Sequence, residues 1–276
     1  MIARSIQVLL GSNPKPKGAL VCLLKIGILI GKIIGLILLW QGFSLLEFSV
    51  FLPSPAQVWA AFWRLTLQGD VQGYILPQQV WTSLIRVLSG FGLAVLTGIP
   101  VGIIFGLWNR IYEFFKLVVE PVRFIPPLAW VPLAIIFLRG ESRYTFIIWL
   151  GAVFPILITT MSGIKALDSS FWEVGRVLGA NRWQAVVKIA IPSAAPHILD
   201  GARLGLGTAW ACIVAAEMVG GGATGLGCMI INYGQLLQID AVVVGMIVIG
   251  ILGYLFNELF VIAERRVFPW RRAVKF

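Results

Sequence analysis

Ionisable side chains are scarce in this sequence, and any chemistry must come from the few that fall inside its apolar runs. Asp200 and Arg203 stand three residues apart, as do Glu120 and Arg123. On a helix that spacing puts an acid and a base on one face, where they can pair directly. For Asp200 and Arg203 a structural ion pair is the favoured reading, with contact to a charged solute as the alternative. Glu217 has no base near it in sequence and reads either as a satisfied acid at a gate or as an interfacial residue. A charge at membrane depth is costly unless it is paired or wetted. No catalytic constellation is present. The one histidine, His197, has no zinc-ligand spacing and cannot by itself complete a Ser/His/Asp set. No Gly-rich loop ending in Lys-Ser or Lys-Thr is present to hold a nucleotide. Cys22, Cys212 and Cys228 lack metal or redox spacing and read as small apolar residues. The chain is therefore expected to carry no catalytic residue, no metal and no cofactor of its own.

These residues must be held by membrane spans. Hydrophobic residues make up 59% of the chain and charged residues 12%, too few charges for a water-facing domain. The expected fold class is all-α, with six transmembrane helices of about 20 apolar residues each. The spans are drawn at Val21 to Phe43, Leu84 to Leu107, Phe115 to Leu138, Tyr144 to Ile164, Ala195 to Met218 and Ala241 to Ile262. This divides the chain into an N-terminal segment 1–20, a transmembrane part 21–262 containing a polar loop 165–192, and a basic tail 263–276. The N-terminus is basic and then apolar; no small-x-small site ends the run, so it is expected to be an uncleaved first span.

The net charge of +10 does not point to nucleic acid, because no basic patch with stacking aromatics stands on a soluble module. The cations gather instead at Arg4, Lys15 and Lys17, at Arg110 and Lys116, in the polar loop (Lys165, Arg176, Arg182, Lys188), and at Arg265, Arg266, Arg271, Arg272 and Lys275. The opposite side receives Arg64, Arg86, Arg139 and Arg143. Basic residues accumulate on the cytoplasmic side of membrane proteins, which places both termini and the polar loop there.

Proline and glycine shape the bundle. Ser54 with Pro55 next to it is a helix start, and the Trp59, Phe62 and Trp63 face of that helix suits the membrane interface. The run from Phe124 through Pro126, Pro127 and Trp130 to Pro132 cannot be an unbroken helix, since each proline removes a donor and clashes one turn back. Such breaks persist in a bilayer where protein or water satisfies the freed carbonyls, often along a pathway. Arg123, Pro126, Pro127, Trp130, Trp210 and Glu217 are the candidates for lining it, although a buried tryptophan also serves packing. Gly102, Gly106, Gly201, Gly205 and Gly207 permit close helix contact.

The polar loop is the most informative stretch. A short helical pattern (Phe171, Val174, Val177, Leu178) breaks at Gly179-Ala180-Asn181, restarts at Arg182-Trp183 and stops at Pro192. Glu173-Val174-Gly175, then Gly179, then Ile189-Ala190-Ile191-Pro192 resembles the cytoplasmic loop of binding-protein-dependent ABC importer permeases. That family's pattern is Glu-Ala-Ala, three residues, Gly, nine residues, Ile-x-Leu-Pro; here Val174 and Gly175 replace the alanines and Ile191 the leucine. Arg123–Pro132, Gly201–Trp210 and Ala215–Met218 look like the nitrate, taurine and alkanesulfonate group of these permeases.

The resemblance implies a type I ABC importer permease in the bacterial inner membrane, a transport subunit and not an enzyme. Glu173, Val174, Gly175, Leu178, Gly179, Ala180, Arg182 and Trp183 would couple it to the ATPases. Two permease copies, as a homodimer, would join two ABC ATPase subunits, which bind ATP and Mg, and an external solute-binding protein would deliver cargo. The implied cargo is a small oxyanion, taurine or another aliphatic sulfonate first, with nitrate, nitrite, cyanate or bicarbonate next. A secondary transporter or channel working without ATP is the alternative from another class.

Overall fold

The computed structural model describes residues 17–45 and 52–267. The basic residues Arg4, Lys15, Arg271, Arg272 and Lys275 lie outside the described residues, as do most of segment 1–20 and the end of the basic tail. Every regular element described is helical, as expected where a bilayer offers the backbone no hydrogen-bond partners of its own.

Two compact units meet within one helix, at Ala61 and Phe62. The first contains α1 (Lys17–Leu45) and the start of α2 (Pro55–Leu67). The expected start of α2 is present: the Gln57 amide donates to Ser54 Oγ at 3.3 Å, and the Ser54 amide donates to Gln57 Oε1 at 2.7 Å. Trp59 and Trp63 are exposed along α2.

The second unit continues with α3 (Leu76–Leu107), α4 (Asn109–Phe124), a 3-10 turn (Pro127–Trp130), α5 (Val131–Phe137) and α6 (Ser142–Lys165). Then come α7 (Ser169–Val177), α8 (Arg182–Ala185), a π turn (Val186–Ala190), α9 (Ile191–Val219), α10 (Leu226–Gln235) and α11 (Ile239–Val267). Its core is α6, packed between α3 and α9. Small residues make that packing possible. Gly90, Ala94, Gly98, Gly102 and Gly106 recur along one face of α3 and are largely buried. A Cβ on Gly102 would lie 2.7 Å from the Leu157 carbonyl oxygen, and one on Gly106 would lie 2.6 Å from Ile164 Cβ. On α9, Gly201 meets Thr159, and a Cβ on Gly205 would lie 2.8 Å from Ile156 Cγ1. Gly207 departs from expectation: a Cβ there meets nothing within 4 Å.

Among the described residues four helices are long and apolar enough to cross a membrane, or five if α4 and the segment after its break form one span. That broken span bends by 92° between Asn109–Phe124 and Pro127–Phe137, at the prolines that forbade a continuous helix. Two boundaries differ markedly from the sequence reading. The span expected from Leu84 begins at Leu76, because Pro77 at the first turn starts a helix well before the apolar run. The span expected from Ala195 is continuous with the polar loop, running Arg182–Val219. The connection before α11 contains a short helix, α10.

Close approach sets a testable limit on size. Gly102→Leu is expected to lower stability by about 1–3 kcal/mol through overpacking, while Gly207→Leu leaves it near wild type. Thermal unfolding of the detergent-solubilised protein checks this; equal effects at both positions would contradict the packing described.

Candidate functional site

The polar loop folds as a capped helix–turn–helix. Asp168 caps α7, its Oδ1 accepting the Ser170 amide at 2.9 Å, and that amide holds the carboxyl below its usual range. At the far end the Ala180 amide donates to the Gly175 carbonyl and the Gly179 amide to the Arg176 carbonyl, both at 3.0 Å. This bond pair closes a helix through a left-handed residue, and Gly179 supplies it at φ +76°. Asn181 then caps α8: the Gln184 amide donates to Asn181 Oδ1 at 2.8 Å, and the Asn181 amide donates to Gln184 Oε1 at 2.9 Å. Gly175 is buried because a Cβ there would lie 2.7 Å from Ile189 Cδ1, so α7 rests on the π turn.

With its ends satisfied internally, the loop exposes an apolar surface. Val177 is 86% exposed, Leu178 80% and Trp183 72%, with Phe171 and Val174 beside them. Glu173 and Arg182 are exposed among these residues, and Ala180 lies in the turn. The residues expected to couple are therefore brought together on one compact element.

At the other end of α9 lies a buried polar network. Glu217 is 1% exposed and Arg86 5%. Arg86 Nη1 donates to Glu217 Oε1 at 2.9 Å, Ser83 Oγ sits 2.9 Å from both carboxylate oxygens, and the Gly227 amide donates to Oε2 at 2.9 Å. The rest of the guanidinium grips Glu141, with Nε to Oε2 at 2.6 Å and Nη2 to Oε1 at 2.8 Å. Nη1 also donates to the Thr224 carbonyl at 2.6 Å, and the guanidinium lies 4.1 Å above the Tyr144 ring. Gln79 extends the network, donating to Asp70 Oδ2 at 2.6 Å and accepting the Gly225 amide. Gly225, at φ +124°, brings its backbone against the Glu217 carboxylate, where a side chain would collide. Glu217 is thus a satisfied, buried acid and not an interfacial one.

The remaining candidates lie near the break and along α9. Arg123 pairs with Glu120 at 2.8 Å and lies 4.8 Å over the Phe124 ring. Trp130, in the turn after Pro126 and Pro127, meets Phe146 edge-on at 6.5 Å. Arg123 Nε and Trp130 Nε1 are buried with no hydrogen-bond partner among the described residues. The Arg203 guanidinium donates from Nε and Nη2 to Asn257 Oδ1 at 3.0 and 2.7 Å, a partner on α11 that the spacing to Asp200 did not predict. Trp210 is buried, donates to the Ile249 carbonyl at 3.1 Å, and borders a cavity of about 80 Å³ with Arg203 and Asn257. No group of three or more His, Cys, Asp or Glu able to hold a metal occurs among the described residues.

Sequence reasoning missed Arg86 and Ser83 as partners of Glu217, and Gln79 as an extension of the same network. A signal was present: positions 79, 83 and 86 recur at helical spacing as polar residues on an otherwise apolar span.

The described residues thus combine long apolar helices with a capped loop that leaves apolar residues exposed. The sequence profile of binding-protein-dependent transport system inner membrane components matches residues 98–272, and the chain belongs to that family. It is a membrane transport subunit and not an enzyme, located in the inner membrane. It is 41% identical to a putative ABC transporter permease of Methanocaldococcus jannaschii, covering 70% of this chain and 73% of that one. It is 34% identical to the taurine transport system permease TauC of Escherichia coli (89% and 90% covered). With the nitrate import permease NrtB of Synechocystis it shares 35% identity (79% and 81% covered). A chain in inward-facing structures of the MetNI methionine ABC transporter shares its fold, with TM-score 0.63 at 21% identity, covering 70% of this chain and 95% of that one.

The network predicts unequal costs. Arg86→Met strands a buried carboxylate and is expected to destabilise by about 3–5 kcal/mol. Glu141→Gln, where the side chain is 67% exposed, should cost about 1 kcal/mol or less. Hydrogen bonds from Arg86, outweighing burial, hold the Glu141 pKa below its usual value. Its contribution is therefore complete above the ordinary carboxylate range and is lost as pH falls through the lowered value. Thermal unfolding of the variants across pH measures both effects, and a costlier Glu141→Gln would contradict the assignment.

Proposed function

We infer that this chain is the permease subunit of an ATP-driven, binding-protein-dependent ABC importer for a small oxyanion. The observation that carries this reading is the exposed apolar surface of Val174, Val177, Leu178 and Trp183 on an element whose own caps are complete. Such a surface costs free energy in water and marks a docking site. In this reading Glu173, Val174, Gly175, Leu178, Gly179, Ala180, Arg182 and Trp183 seat the element in an ATPase subunit. ATP and Mg belong to that partner.

The bundle has six spans, α1 being the first, with both termini and the coupling loop in the cytoplasm. The distribution of basic residues supports this orientation. Two copies of the chain form a homodimer with two ATPases, and a solute-binding protein delivers cargo to the opposite face. The break beside Pro126 and Pro127 lines the path. Arg123 Nε and Trp130 Nε1 are the donors there for a passing anion, since small anions ask for donors and positive dipoles. Glu217, already satisfied by Arg86, holds the gate end of α9 together and leaves the anion to other groups.

Relatives that carry taurine and nitrate both support an oxyanion as cargo. A sulfonate is the first choice, because the stretch Leu237–Gly245 resembles the taurine and sulfonate permeases; nitrate, nitrite, cyanate and bicarbonate follow.

Two measurements test the reading. Gly179→Val, strained at φ +76°, and Leu178→Asp are each expected to cut transport at least tenfold and to weaken retention of the ATPase on purification. Unchanged uptake with no ATPase ever co-purifying would indicate an ATP-independent carrier. For the cargo, the complex is reconstituted with its binding protein and each anion is added in turn. Taurine or an alkanesulfonate should stimulate ATP hydrolysis most; stimulation by nitrate alone would overturn the sulfonate choice.

A further inference from the structure

Beside α7 and α8, where α3 and α6 end, lies an open cleft of about 750 Å³. Leu107, Ile164 and Trp172 give it an apolar wall, and Lys165, Arg176 and Arg182 give it a cationic one. No carboxylate lines it, and none of these cations forms an ion pair among the described residues. Three cations around one cleft repel each other, so an arrangement of this kind is stabilised by an anion. Lys165 is fixed in place rather than free to swing away: its Nζ donates to Asn109 Oδ1 at 2.9 Å and lies 4.6 Å over the Tyr112 ring.

The two walls together define the occupant. A free oxyanion would use the cations and leave the apolar wall wet. An amphiphile uses both. Leu107 is the last residue of α3 and Lys165 the last of α6, so the cleft opens at the level where spans leave the bilayer. Trp108 and Trp172 also line it, and tryptophan favours that level. Basic pockets between membrane helices at this depth recognise lipid phosphate groups.

We propose that this cleft binds the phosphodiester headgroup of an anionic glycerophospholipid, held by Lys165 and Arg176 with its glycerol and upper acyl chains against Leu107, Ile164 and Trp172. The lipid bridges the ends of α3 and α6 to α7, so it stiffens the element through which the bundle and its ATPase push on each other. The functional consequence rests on the coupling reading given above; the binding site itself does not. ATP turnover by the assembled complex therefore rises with the anionic lipid content of the membrane.

The test uses the complete complex, purified and placed in bilayer discs of phosphatidylcholine with or without phosphatidylglycerol. Native mass spectrometry counts lipid retained on the permease chain, and ATP hydrolysis is followed in the same discs. Wild type is expected to retain phosphatidylglycerol in preference to phosphatidylcholine. Lys165→Gln with Arg176→Gln should weaken that retention by about 25-fold, at roughly fivefold for each cation near the surface. The charge-conserving pair Lys165→Arg with Arg176→Lys should restore it. Equal retention of both lipids, or retention unaffected by the double Gln variant, overturns the proposal. Displacement of the lipid by millimolar inorganic phosphate, with phosphate alone reproducing the rise in ATP hydrolysis, also overturns it in favour of a free-anion site. A wild-type permease that retains phosphatidylglycerol but never an ATPase would support the lipid site and refute the coupling reading, so the two failures are distinguishable.

Discussion

Much of this fold depends on one buried carboxylate. Glu217 sits at the end of a long apolar helix, where an unpaired charge would be prohibitively costly. Its satisfaction recruits three donors from two separate helices: Arg86 and Ser83 on α3, and the Gly227 amide at the start of α10. Arg86 in turn ties in Glu141 before α6 and the Thr224 carbonyl. One acid therefore fixes the relative position of α3, α6, α9 and α10 at that end of the bundle. The chain between α9 and α10 has little freedom left, because Gly225 and Gly227 lie directly against the acid.

At the middle of the bundle the constraint changes from charge to size. Glycines on α3 and α9 let α6 approach closely on both sides, and in a membrane such close packing replaces the hydrophobic drive that holds soluble cores together. At the opposite end the helix that carries Glu217 continues through the π turn into the polar loop, from Arg182 to Val219. A helical rod about 57 Å long (38 residues at about 1.5 Å per residue) thus joins the buried network to the exposed apolar loop.

The sequence revealed what is local and concealed what is distant. The helix–turn–helix from Phe171 to Pro192 was legible because its caps, its glycine and its apolar spacing all lie within some twenty residues. The break at Pro126 and Pro127 was legible for the same reason, since proline acts on its own backbone. The partners of Glu217 were not, because Arg86 is 131 residues away and nothing in a linear reading joins them. Arg203 shows the same limit: its hydrogen-bond partner Asn257 stands 54 residues on, on α11, where no local spacing points. The polar stripe of Gln79, Ser83 and Arg86 announced that something polar would be buried, without saying against what.

The π turn at Val186–Ala190 has its own geometric result. A π turn holds one residue more than an α turn, so the helical phase before it is offset from the phase after it. One residue of α-helix corresponds to about 100° of rotation. The compass bearing of Trp183 relative to α9 is therefore set by a single surplus residue, and deleting any one of these five would swing the apolar face about a quarter of a circle from its present heading.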